Sequence, residues 1–271
     1  MISLPCRKGV HLESLSSTAR LFKVIRLLAQ HHQTGMRITD IVAETEMTPA
    51  SVHRILKSLV DEKVVVQEND KRYSLGLELF SLAAQAGHSS GLRELAKPVL
   101  LRLGARLNDT VFLLVRNGYD AICLDRFEGP FPIQTFTGDV GGRVALGVGQ
   151  GSMAILAFMQ RAEQEEILQH NLGRLKDYKM YDEVEIRSEI SKVKEQGYCA
   201  KNSGLIEGMA GLAVPVFDCN GNIVAALSIG TLAVRLTPER LPIIGELMKQ
   251  EAQKLSEQIN PFDPSLSRPR L

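Results

Sequence analysis

The sequence predicts an α+β protein: an N-terminal winged helix-turn-helix, a linker helix and a C-terminal GAF-like α+β domain. Three observations point there. A basic amphipathic helix over residues 48–60 (TPASVHRILKSLV) follows a shorter helix after only two residues. Two short strands, 64–67 (VVVQ) and 72–75 (RYSL), flank the polar turn ENDK. Beyond residue 91, antiparallel strand hairpins at both ends enclose a block of helical patterns, which disfavours a doubly wound parallel sheet.

Each element follows from periodicity and punctuation. Leu21, Val24, Ile25, Leu27 and Leu28 give an amphipathic helix over 19–29. Ile41 and Val42 mark a short helix over 39–45. In the 48–60 helix Thr48 suits the cap and Pro49 the first helical position. Val52, Ile55, Leu56 and Leu59 form its buried stripe, leaving Ala50, Ser51, Arg54, Lys57 and Ser58 opposite. That face is small, hydroxylic and basic, with no acid until Asp61, so it can enter a major groove without repelling phosphate. An ordinary solvated face looks similar, but the aligned helices, tight turn and hairpin favour DNA reading. Lys71 and Arg72 sit at the hairpin tip.

Leu77, Leu79, Phe80 and Leu82 then predict a helix over 76–85, followed by a small polar linker at 87–91 (GHSSG). A helix over 92–107 precedes strands 110–116 and 121–127, joined at Asn117 and Gly118, a strong hairpin signal. Helical patterns cover 152–158, 162–170 and 184–196. Strands MAGLAVPVF and IVAALSIGTL meet at a turn over 218–222, and a helix over 238–258 closes the fold. The expected boundaries are 1–75 for the winged helix, 76–90 for the linker helix, 91–260 for the second domain and 261–271 for a flexible tail.

Composition sets the remaining limits. At 271 residues and 44% apolar, the chain can bury two cores. A net charge of +1, with eleven Lys/Arg against nine Asp/Glu in residues 1–88, offers no global attraction to a polyanion. Phosphate binding must then depend on local charge placement. Cys6, Cys123, Cys199 and Cys219 are scattered without a CxxC pair and read as free thiols of a reducing cytoplasm. No secretory leader is read at the start, and the apolar stretch 144–159 is too short and polar to span a bilayer, so a soluble protein is expected. His11, His31, His32, His53 and His88 cluster early without metal-type spacing, and no cofactor or metal motif stands out.

The layout, and the strings TPASVHRILKSLV, RYSLGLELFSLA, GRVALGVGQGSMAILAF, GYCAKNSGL and GLAVPVFDCNGNIVAALSI, resemble the IclR (isocitrate lyase regulator) family of bacterial transcriptional regulators over residues 15–260. The resemblance implies a DNA-binding winged helix, a linker helix and a domain binding a small organic effector. It also implies dimers or tetramers that repress or activate catabolic operons. Four departures stand out. Lys63 occupies a position after the recognition helix where the family commonly has glycine, so a left-handed residue is expected there at modest cost. Gly151 and Ser152 replace a common Gly-Lys. Residues 201–204 (KNSG) replace an acidic cluster, and Gly211 stands at a strand start where a cysteine or other small residue is usual.

For DNA the candidate residues are Arg37, Thr48, Ser51, Arg54, Lys57 and Ser58, with Lys71 and Arg72 on the wing. The partner is a pseudo-palindromic duplex bound by a dimer, and Leu79, Phe80 and Leu82 supply part of the self-contact. For the effector, the alternating glycines of LGVGQGS (Leu146, Gly149, Gln150, Gly151, Ser152) precede an apolar helix and can converge N–H groups on a carboxylate. A plain tight turn packing helix on sheet is the other reading of that loop, and the resemblance favours the site. By the same transfer Gly211, Ser228 and Gly230 face the cavity. Ser152 loosely resembles a nucleophile elbow, but GxSxG spacing is absent, His170 has no orienting acid, and Tyr178, Asp182 and Glu183 read as solvated, so no enzyme is expected. Two alternatives stay open: a signalling module whose winged helix binds protein, and a thiol-redox regulator using Cys123 or Cys199.

Overall fold

The computed structural model describes residues 16–86, 91–131, 133, 135, 137–175, 183–201 and 206–260. Expectations for Cys6, His11, the linker at 87–90, Tyr178, Asp182, residues 202–204 and the tail after 260 lie outside the described residues. The chain divides into two compact units, Met1–His88 and Ser89–Leu271.

In the first unit, α1 (Ser17–Gln30), α2 (Ile38–Thr45) and α3 (Pro49–Asp61) enclose a small core. Val24 and Leu28 of α1, Ile41 of α2, Met47 of the turn, and Val52, Leu56 and Leu59 of α3 are all buried there. The turn between α2 and α3 is tight because Glu46 takes a left-handed conformation (φ 58°). Lys23 Nζ donates to the Thr45 carbonyl at 2.7 Å, satisfying an orphan group at the end of α2. The wing is β1 (Val65–Gln67) paired antiparallel with β2 (Tyr73–Leu75). A bridge between Met36 and Tyr73 ties it to the helices. Lys63 does adopt φ 57°, as the glycine usual at that position in the resembled family implied. Next comes α4 (Leu77–Ala86).

The second unit is an antiparallel six-stranded sheet in the order β5-β4-β3-β8-β7-β6. The strands are β3 (Thr110–Asn117), β4 (Asp120–Phe127), β5 (Arg143–Ala145), β6 (Cys199–Lys201), β7 (Met209–Phe217) and β8 (Ile223–Leu232). Strand alternation splits its side chains between two cores. Val111, Leu113, Leu212, Val214, Leu227 and Ile229 pack with α5 (Gly91–Leu107) and α9 (Arg240–Ser256). Phe112, Leu114, Ala213 and Ala226 pack with α6 (Gln150–Ala157), α7 (Arg161–Leu175) and α8 (Glu183–Gln196). The three-residue strands β5 and β6 were not predicted, and α7 runs five residues past its predicted end at residue 170. Among the described residues no helix is long and apolar enough to cross a membrane.

Candidate nucleic-acid interface and effector cleft

On α3, Thr48 caps the first turn, its hydroxyl accepting the Ser51 N–H at 3.3 Å and donating to Ser51 Oγ at 2.9 Å. Ala50, Arg54, Lys57 and Ser58 are exposed, and Ser51 is half-buried. His53 is exposed as well, three residues after Ala50 and four before Lys57, so it shares their face. The sequence analysis weighed it only for metal-type spacing, although the helical spacing places it among the groove-facing residues. Arg37 is exposed at the head of α2, where its backbone N–H donates to Asp40 at 3.3 Å.

The two wing residues differ. Lys71 is exposed at the hairpin tip, its left-handed backbone (φ 65°) closing the turn onto the Glu68 carbonyl. Arg72 is already engaged. Its Nε lies 3.0 Å from Asp70, and its guanidinium reaches the carbonyls of Thr34 and Gly35 at 3.4 and 3.3 Å. Its guanidinium is held by these local partners, so the greater share of any phosphate contact falls to Lys71.

In the second unit a cleft opens between the α6 end of the sheet and the side chains of Ile133, Thr135 and Thr137, with about 650 Å³ of empty space partly open to solvent. Gly149 (φ 76°) starts α6, and the N–H groups of Gln150, Gly151 and Ser152 have no backbone acceptor among the described residues. Close packing brings that turn onto the sheet. A β-carbon at Gly151 would sit 2.0 Å from Leu114 Cδ1 and 3.3 Å from Ser228 Cβ. Ser228 is 6% exposed, lines the cleft, and its hydroxyl has no partner among the described residues. The Ser152 hydroxyl, by contrast, is spent on the Val148 carbonyl at 2.6 Å.

Six of the eight predicted effector residues line the cleft: Gly149, Gln150, Gly151, Ser152, Ser228 and Gly230. Leu146 does not. It is fully buried in the core under the sheet, with its carbonyl accepting from Asn171 at 3.2 Å. Gly211 does not line it either, because the Gln150 carboxamide covers it, lying 2.9 Å from where a β-carbon would stand. The walls the sequence did not reveal include Phe112, Leu114, Ile133, Thr135, Thr137 and Met209.

Residues 84–257 match the description "Bacterial transcriptional regulator IclR C-terminal", and residues 17–69 match "IclR helix-turn-helix domain". The chain belongs to the IclR family. Its relatives include the HTH-type transcriptional regulator KipR of Bacillus subtilis, 29% identical over 229 residues, which spans 84% of this chain and 91% of KipR. The regulator KdgR of Escherichia coli is 28% identical over 258 residues, covering 93% and 95% of the two chains. An IclR homologue from Microbacterium hydrocarbonoxydans, solved in complex with 4-hydroxybenzoate, shares the fold at a TM-score of 0.73. It is 23% identical, covering 89% of this chain and 98% of that one.

As an IclR-family transcriptional regulator the chain is not an enzyme. Ser152, the closest sequence approach to a nucleophile, lies inside a helix turn and donates to a carbonyl. His170 stacks face to face on Tyr119, ring centres 3.7 Å apart. Among the described residues, Cys123 and Cys199 are buried and Cys219 is exposed. Burial pushes the Cys123 thiol up to about 12, which withholds the reactive thiolate at neutral pH.

Proposed function

We propose that this chain is an effector-responsive, DNA-binding regulator of a catabolic operon, acting in the cytoplasm as a dimer on a pseudo-palindromic operator. One observation carries the reading: α3 buries Val52, Leu56 and Leu59 while His53, Arg54, Lys57 and Ser58 stand exposed on one face. Arg54 and Lys57 donate to base edges or backbone, Thr48 and the helix start hold a phosphate, and Lys71 adds a wing contact. The homologue holding 4-hydroxybenzoate supports a small organic acid as the signal. That acid occupies the cleft at α6 and must favour one arrangement of the two reading heads to change DNA affinity.

The test is a binding titration on duplexes selected by the purified protein from a random pool. A regulator enriches a site with two related half-sites and loses affinity steeply as salt rises. Failure to enrich any sequence, with a shallow salt slope, would favour a winged helix that binds protein and overturn the reading.

A further inference from the structure

We infer that DNA binding by this chain is coupled to proton uptake, with His53 of α3 taking the proton and acidification acting as a second signal beside the effector. This names a regulation of the DNA-reading face and rests on that reading of α3.

The charge distribution supports it first. Residues 1–88 carry eleven Lys/Arg against nine Asp/Glu, a net of +2 that attracts DNA only weakly. The same segment holds five of the six histidines, and protonating them takes it to +7. The rest of the chain has His170 alone. Mild acid therefore charges the reading head far more than the second unit.

Position supports it next. His53 is exposed on α3, adjacent to Arg54 and one turn before Lys57. Its ring has no partner among the described residues. The first acid along α3 is Asp61, about 12 Å further along the axis. Groups on the neighbouring elements are turned elsewhere: Lys23 of α1 to the Thr45 carbonyl, Asp40 of α2 to the Arg37 N–H, and Asp70 of the wing to Arg72. Glu44 and Glu46 of α2 and Glu68 of the wing make no bond to His53. An imidazolium at 53 thus meets like charge in the free chain and phosphate in the complex, so the proton is taken up on binding. Both ring nitrogens then donate, to phosphate oxygens or to N7 and O6 of guanine.

His31 and His32 give lesser support from the C-terminal end of α1, where the helix dipole favours a cation. His32 Nδ1 donates to the Ala29 carbonyl at 3.2 Å, which leaves Nε2 to accept a proton. Arg72 of the wing holds the Thr34 and Gly35 carbonyls of the same turn, so this pair stands at the base of the wing.

Fluorescence anisotropy of the full chain on its selected duplex, at fixed ionic strength from pH 8 to pH 6, tests the coupling. Affinity should rise about tenfold per reading head as pH falls. The salt slope should steepen by about one per head. Calorimetry at pH 7 in buffers of different ionisation enthalpy should register proton uptake on binding. H53Q should flatten the pH profile, and H53K should hold at pH 8 the affinity that wild type reaches at pH 6, with CD confirming both folds. H31Q/H32Q should keep most of the pH dependence. An equal rise on random duplex would assign the contact to phosphate, and a larger rise on the selected duplex would assign it to guanine. Wild-type affinity that ignores pH would overturn the coupling and leave DNA reading intact. A steep profile unchanged in H53Q would overturn the assignment to His53. Absence of DNA binding at every pH would instead overturn the regulator reading beneath it.

Discussion

The α-carbon of Gly76 packs against the carbonyl of Lys63 so closely that a β-carbon at 76 would lie 2.1 Å from that oxygen. The Gly76 N–H also donates to the Val64 carbonyl at 2.8 Å. The end of the recognition helix, the wing and the start of α4 therefore meet at one point. Lys63 passes through it with a left-handed backbone (φ 57°). Gly76→Ala forces a backbone shift there and is expected to destabilise the winged helix by about 2 kcal/mol or more. Lys63→Gly removes the Cβ penalty and should stabilise it by roughly 0.5–1 kcal/mol. Urea unfolding followed by CD reads both, and a destabilised Lys63→Gly would contradict the strain.

DNA contacts separate by position. Arg54→Ala should cost about 1–3 kcal/mol on the selected site and relax its base preference. Lys71→Ala should weaken every duplex alike and lower the salt slope by about one. Arg72→Ala should lower that slope less, since Asp70 already holds the guanidinium. His53→Ala should shift sequence preference, because the side chain stands beside Arg54 on the exposed face. Equal losses on specific and random DNA for Arg54→Ala would refute base reading.

Much of the first unit was legible because its signals are local. The α3 stripe, its Thr48 cap and the two-residue turn all lie within a few residues of one another, whereas the left-handed Lys63 was expected only from the family resemblance. The cleft was legible only in part. The glycines around α6 announced its polar end, but its apolar walls come from β3, β7 and Ile133, with β3 and β7 joined through non-local strand pairing to β8. Nothing in a local string tells that Phe112 pairs with Ser228 across β3 and β8. Leu146 failed as a candidate for the same reason: adjacency to a glycine loop does not reveal which way a side chain turns. The strands β5 and β6 were too short for any periodicity to register.

Asp109 anchors the end of the sheet. Its carboxylate is 1% exposed and accepts from Thr231 Oγ1 at 2.7 Å and Arg235 Nε at 2.9 Å, with Arg240 at 3.8 Å. Arg235 and Arg240 in turn donate to the Leu107 carbonyl at the end of α5. Asp109→Ala leaves the arginines without their buried partner and should cost about 3 kcal/mol, moderated by the partial exposure of both arginines. Asp109→Asn keeps an acceptor and should cost less. Thermal unfolding checks the order, and equal melting temperatures would show the cluster to be neutral.

Glu251 gives the second unit an acid-sensitive tie. Burial pushes its carboxyl up, but hydrogen bonds from Lys254 at 2.8 Å and Arg102 at 2.7 Å outweigh this and hold it below the usual value near 4.5. Because the native value is the lower one, the unfolded chain takes up the proton first. The stabilisation is full above the unfolded value and is lost as pH falls through the native one. Glu251→Gln should therefore lower stability at pH 7 and flatten its decline below about pH 4.5. Denaturation midpoints across pH 3–7 measure this, and parallel curves for variant and wild type would exclude the tie.

The linker helix tests the dimer. On α4, Leu77 and Phe80 are 79% and 70% exposed, and Leu82 is exposed as well. Apolar side chains left in water at helical spacing on a ten-residue helix favour burial against a second copy, at roughly 1.5–3 kcal/mol for a fully covered phenylalanine. Phe80→Asp is expected to shift the protein toward monomer in analytical ultracentrifugation. It should weaken binding to the two-half-site duplex by at least tenfold while leaving binding to a single half-site unchanged, since the reading face of α3 is untouched. An unchanged sedimentation profile together with unchanged affinity for the paired site would place the self-contact elsewhere in the chain.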